Sequence, residues 1–225
     1  MARLIFDGLT VDSVRANLEH ARQQIARAAL VAGRDGGDVE ILAAVKYVRS
    51  PELDVLAQAG IDLVGENRAQ DLEQKAASHP GLFVWDFIGQ LQSRKVKQIL
   101  PQVRYVHSVA TDSALAQLAR HAPPGTEVLV EVNVAREPGK GGVVPGELAS
   151  FIDRCPASVV GLMTMPPLAR SPEDSRPHFA ALRELADEHG LRHLSMGTSQ
   201  DYPVAVEEGA TIVRLGACLY GPRAP

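Results

Sequence analysis

The chain has 225 residues, 45% hydrophobic and 22% charged, a globular composition long enough for one large domain or two small ones. A formal net charge of −4 offers no broad basic surface for nucleic acid, and the cluster Arg94-Lys95-Val96-Lys97 has no aromatic interleaving, so it reads as a solvated helix face. Cys155 and Cys218 form no C-x-x-C pair, which leaves a zinc site or disulfide framework without support and points to reduced thiols in the cytoplasm.

The N-terminus has only three consecutive apolar residues before Asp7, so no signal peptide is expected. The first helix spans 10–32, with Val14, Leu18, Ala21, Ile25, Ala28 and Ala29 spaced by three and four. Thr10 suits its start and Gly33 its end, and the glycine-rich segment 33–38 is flexible by composition. From there strand-like runs fall at 41–46, 61–64, 83–87, 105–106, 127–134, 159–163, 192–195 and 211–215. Helix-like runs lie between them at 51–59, 67–77, 93–100, 112–121 and 146–154, in a segment ending near 189, and at 203–208. Ser171 and Ser175 compete as the start of the sixth, because Pro177 favours the later one. The longest uncharged stretch, 155–169, contains three prolines and is too short to span a bilayer. A soluble cytoplasmic protein with no membrane partner is expected.

Eight strands alternating with seven helices argue for a parallel α/β fold. A single (β/α)8 TIM barrel over residues 1–225, with an extra N-terminal helix, accommodates that count. An open doubly wound sheet is the alternative, for which the count is high. In a barrel the site lies at the C-terminal ends of the strands.

Those ends carry distinctive residues. Val39-Glu40-Ile41-Leu42-Ala43-Ala44-Val45 leads into Lys46. Desolvation at the end of such a strand favours a neutral amine, which condenses with carbonyls; the alternative is a lysine that leans into water. Gly197-Thr198-Ser199 before a helix, and Gly216-Ala217, offer backbone N–H groups to an anion across the barrel mouth from Lys46. Together these suit a phosphorylated aldehyde, with pyridoxal 5'-phosphate (PLP) the leading candidate. Arg214, inside an apolar strand, keeps its charge and cannot accept a proton, so a pyridine nitrogen facing it stays unprotonated. That argues against demanding carbanion chemistry. Asn67 either bonds a cofactor hydroxyl or caps a helix. The dispersed histidines, His107 and His193 among them, read as structural, and Lys140 as a solvated loop lysine.

Several longer segments point to one family. These are Ala44-Val45-Lys46, Gly65-Glu66-Asn67 with Gln70, 85–95 (WDFIGQLQSRK), Lys140-Gly141-Gly142, Gly161-Leu162-Met163, 194–201 (LSMGTSQD), and Val213-Arg214-Leu215-Gly216 followed by Tyr220-Gly221. In their order from about residue 10 to 223, they resemble the motifs of the YggS/PROSC-type pyridoxal phosphate homeostasis proteins. The resemblance implies a monomeric barrel holding PLP as a Schiff base on Lys46, with Ser199, Gly216 and Ala217 around the phosphate. It also implies Arg214 at the pyridine nitrogen and Asn67 and Met196 around the ring. The implied role is vitamin B6 homeostasis without a dedicated reaction, with delivery to PLP-dependent apo-enzymes as the partner relationship. The chain departs from the pattern at Asp86 (for histidine), Gln90 (for proline), Thr198 (for methionine), Ala217 (for threonine) and Arg68 (for an aromatic). The related alanine racemase barrel keeps a lysine strand and a similar ending, but takes its second base from a further β-domain. With four residues left after Gly221, no such domain is expected here, although a PLP-dependent racemase or other Schiff-base enzyme stays open as the alternative.

Overall fold

The strands are β1 (Glu40–Ala44), β2 (Leu63–Glu66), β3 (Val84–Phe87), β4 (Tyr105–Val109), β5 (Glu127–Glu131), β6 (Ser158–Met163), β7 (His193–Thr198) and β8 (Ile212–Leu215). Each pairs in parallel with the next, and β8 returns to β1, closing a barrel in the computed structural model, which describes residues 5–222. Helix α1 (Val11–Val31) precedes β1. One helix then follows each strand: α2 (Leu53–Gln58), α3 (Ala69–Ser78), α4 (Val96–Ile99), α5 (Asp112–His121), α6 (Leu148–Asp153), α7 (Arg176–Glu188), α8 (Tyr202–Glu207) and α9 (Ala217–Tyr220). The architecture is a (β/α)8 TIM barrel with an extra N-terminal helix. Among the described residues no helix is long and apolar enough to cross a membrane.

Two apolar layers hold the barrel. Inside it, Leu42, Leu63, Tyr105, Leu129, Val160 and Ile212 form a plug in the N-terminal half. Outside it, alternate residues of the same strands pack under the helices. Each fully buried aliphatic contributes about 1.5–3 kcal/mol. The Thr10 hydroxyl accepts the Ser13 N–H at 3.3 Å and starts α1. The apolar stripe of α1 packs on α8 and α9, and the Asn17 amide donates to the carbonyls of Leu219 and Gly221 at 3.1 and 3.2 Å. The extra helix therefore braces the elements behind the barrel rim.

Several boundaries move from the sequence reading. β2 begins two residues later than expected and takes in Gly65 and Glu66, because the buried carboxylate is paired from α3. β4 runs on through His107 and Ser108, both buried and hydrogen-bonded. β5 stops at Glu131 rather than 134, and β7 continues to Thr198. The glycine-rich 33–38 segment, expected to be flexible, holds a 3-10 turn in which the Asp35 carboxylate accepts the Gly37 N–H at 2.9 Å. The short α9 was not anticipated.

Candidate functional site

The C-terminal strand ends surround a cavity of about 630 Å³. Lys46, Asn67, Ser199, Arg214, Gly216 and Ala217 all line it. Because β8 borders β1, with Ala43 opposite Leu215, the lysine and the anion loops are neighbours on the rim rather than facing each other across the mouth.

Lys46 lies two residues beyond β1 and is exposed, with its ammonium 4.9 Å from the Tyr47 ring centroid. The expected desolvation is absent, because the turn after the strand lifts the side chain into the open cavity. Its backbone is fixed instead. The Val45 N–H donates to Gly65 O at 2.9 Å, and Val45 O accepts Lys75 Nζ at 2.7 Å. Lys75 also donates to Glu66 Oε2 at 2.7 Å, and Glu66 Oε1 accepts the Asn67 N–H at 2.6 Å. This buried pair thus ties the lysine turn to the Asn67 turn. Sequence reasoning missed it, although Lys75 stands on the buried Ala69–Leu72 stripe of α3, a charge on an apolar face.

Asn67 does not cap α3; its Oδ1 is buried at the cavity with no hydrogen-bond partner among the described residues. Gly89 permits the close approach there, since a Cβ would lie 2.0 Å from Asn67 O. Arg214 is buried. Its Nη1 donates to Ser195 O and Oγ (2.6 and 2.7 Å) and its Nη2 to Thr164 O and Met165 Sδ (both 2.9 Å). Nε makes no hydrogen bond among the described residues. Burial pushes the guanidinium down to about 10 against the pull of Glu131 and Asp201, so it stays charged at neutral pH.

The anion loops form a small cradle. The N–H groups of Gly216 and Cys218 converge on Ser199 Oγ at 3.1 and 3.2 Å, an oxygen where an anion's oxygen could be bound. Gly197 has φ +89°, and a Cβ there would lie 2.6 Å from Ala205 Cβ, so only glycine lets the loop fold onto α8. Asp201 braces it, accepting the Thr198 N–H at 2.7 Å and hydroxyl at 3.1 Å and the Ser175 hydroxyl at 2.8 Å.

Met196 is the one expected site residue that does not reach the cavity. Strand alternation turns Ser195 inward to Arg214, so Met196 faces outward, fully buried in the helix–strand core. Glu131 was not anticipated. It closes β5 and lines the cavity, and burial raises its carboxyl against the opposing pull of Arg214 and Lys140. Lys140 pairs with Glu137, and neither His107 nor His193 lines the cavity. Chemically, the site offers an accessible amine, an amide cradle and a buried guanidinium on adjoining strands.

Barrel, rim lysine and amide cradle define a class, and the alanine racemase N-terminal domain family matches residues 10–224. The pyridoxal phosphate homeostasis protein of Aquifex aeolicus is 39% identical over 220 residues, covering 92% of this chain and 96% of that protein. That of Deinococcus radiodurans is 36% identical over 223 residues, covering 94% and 100%. PipY of Synechococcus elongatus, solved with PLP bound, superposes with a TM-score of 0.77 at 27% identity, covering 92% of this chain and all of that one. The chain belongs to the pyridoxal phosphate homeostasis protein family.

Proposed function

We propose that this protein binds PLP in the rim cavity and serves PLP homeostasis as a holder of the cofactor, without a reaction of its own. The observation that carries this reading is the convergence of Lys46, Arg214 and the Ser199 cradle on one cavity across the adjoining strands β7, β8 and β1. The residues fit the group. The exposed Lys46 amine is free to meet an aldehyde, the Gly216 and Cys218 N–H groups suit a phosphate, and the unpaired Asn67 Oδ1 suits a ring hydroxyl. When bound, PLP supplies an electrophilic aldehyde and an electron-withdrawing ring.

Arg214 limits the chemistry that such a ring can support. A guanidinium donates to a pyridine nitrogen, but at neutral pH it neither takes a proton from that nitrogen nor gives one up, which leaves the ring a weak electron sink. The names of the relatives support holding over racemisation. The proposal includes a covalent tether through Lys46 Nζ, a monomeric protein, hand-over to PLP-dependent apo-enzymes, and a cytoplasmic setting in which the free thiols Cys155 and Cys218 stay reduced. Titration of the purified protein with PLP should produce a shifted visible band that Lys46→Ala abolishes. Incubation with each amino acid enantiomer should give no sustained racemisation; sustained racemisation lost in Lys46→Ala would overturn the holder reading.

A further inference from the structure

A polar thread crosses the barrel interior beneath the cavity. It begins at the N-terminal mouth, where Arg104 bonds partly exposed Glu40 at 2.7 and 3.1 Å and fully buried Asp86 at 3.1 and 2.7 Å. Asp86 accepts the Tyr105 N–H at 3.1 Å and lies 3.1 Å from His107 Nε2. His107 Nδ1 lies 2.8 Å from Ser195 Oγ, which lies 2.7 Å from Arg214 Nη1. The thread thus ends on the guanidinium at the cavity floor. Its two carboxylates and two guanidiniums balance when His107 is neutral.

Donor accounting gives every proton one place. Arg214 has only donors, so Ser195 Oγ accepts from it. Ionised Asp86 has only acceptors, so His107 Nε2 carries a proton and donates. A neutral imidazole then presents Nδ1 as an acceptor, and the Ser195 hydroxyl donates to it. All three donations point from Arg214 toward Asp86. The residue order Asp–His–Ser is that of a hydrolytic triad, but the ring is reversed, with Asp86 at Nε2 and Ser195 at Nδ1. Here, however, His107 and Ser195 are 0% exposed and Arg214 occupies Ser195 Oγ, so no acyl substrate reaches the hydroxyl.

We propose that Asp86, His107 and Ser195 are positioning residues for Arg214, fixing through one His107 tautomer the place at which the guanidinium meets the cofactor ring nitrogen. This rests on the reading that Arg214 faces that nitrogen. Ser195 holds Nη1 by both its carbonyl and its hydroxyl, and Thr164 O and Met165 Sδ hold Nη2, so Nε is the donor left for the ring. Removing the Ser195 hydroxyl frees Nη1 to tilt, and replacing His107 lets that hydroxyl rotate away.

Nitrogen-15 NMR of the ligand-free protein tests the thread without cofactor. A neutral His107 protonated at Nε2 is expected; an Nδ1-protonated or charged ring would overturn the proposal. With PLP labelled at the ring nitrogen, Ser195→Ala and His107→Gln should each move the ring-nitrogen resonance and weaken PLP binding about tenfold, or about 1.4 kcal/mol. Leu129→Ala, which loosens the same interior away from the thread, should leave that resonance in place. An unmoved resonance in both Ser195→Ala and His107→Gln, with Arg214→Gln moving it, sinks the positioning role alone. An unmoved resonance in Arg214→Gln sinks the placement of Arg214 at the ring and this proposal with it.

Discussion

Arg214 is held entirely by acceptors: two carbonyls, a hydroxyl and a thioether. A glutamate there would set a carboxylate against the Thr164 and Ser195 carbonyls, and a neutral side chain would leave both short of a partner. Each buried unsatisfied group costs about 1–3 kcal/mol. Urea unfolding of Arg214→Met should therefore show a loss of about 2–5 kcal/mol, read as a lower midpoint at constant slope. A midpoint within error of wild type would show that the site collapses around the gap. Arg214 and Lys46 were both legible as lone cations in apolar strands. The surroundings of both were less legible. The sequence pattern put Lys46 in a desolvated strand end, whereas the chain turns after Ala44 and exposes it. Met196 sits beside inward-facing Ser195 in the chain, and alternation alone sends it to the other side of the wall.

Elements place these residues, and the tie between β2 and α3 is the clearest case. Glu66 is fully buried and Lys75 nearly so, and their ion pair also holds Val45 O just before Lys46. Lys75→Met leaves Glu66 uncompensated and should cost about 3–5 kcal/mol in urea unfolding, while pairing it with Glu66→Leu should recover most of that. PLP binding should stay weakened in the double variant, because Val45 O has lost its donor; normal affinity would show that Lys46 needs no such anchor. The loop after β7 makes a second case. Gly197→Ala adds a Cβ 2.6 Å from Ala205 and forces alanine to φ +89°, so inorganic phosphate should compete with PLP more weakly than in wild type. Strand order and the helix after nearly every strand were readable from alternating apolar runs. Strand ends were not, because Glu66, His107 and Ser108 stay inside only through partners distant in sequence.

At the scale of the whole molecule, the barrel interior combines an apolar plug with buried charge, and this makes stability depend on pH. Burial holds the His107 imidazole below its ordinary range despite the pull of Asp86, with Arg104 and Arg214 acting in the same direction as burial. Burial likewise lowers half-buried His193, helped by Arg192. The unfolded chain takes up these protons first, near pH 6.5, so stability falls as pH drops below about 6.5. Asp86 acts lower still. Burial alone would raise its carboxyl, but the bonds from His107 and Arg104 outweigh that and hold it below the usual range. Its contribution is present above about pH 3.9 and is lost as pH falls through the folded value. Melting temperature should decline from pH 7 to 5, with a shallower decline in His107→Gln; an equal slope in both would show that His107 plays no part in it.

The exposed Lys46 amine, beside the Ser199 cradle and Arg214, is the tether we propose for PLP. Borohydride reduction of the PLP-loaded protein, with peptide mass mapping afterwards, tests it most directly. One pyridoxyl-phosphate adduct is expected, on the peptide containing Lys46. An adduct on Lys75 or Lys140 with Lys46 unmodified, or no adduct at all in a protein that retains PLP, would contradict it.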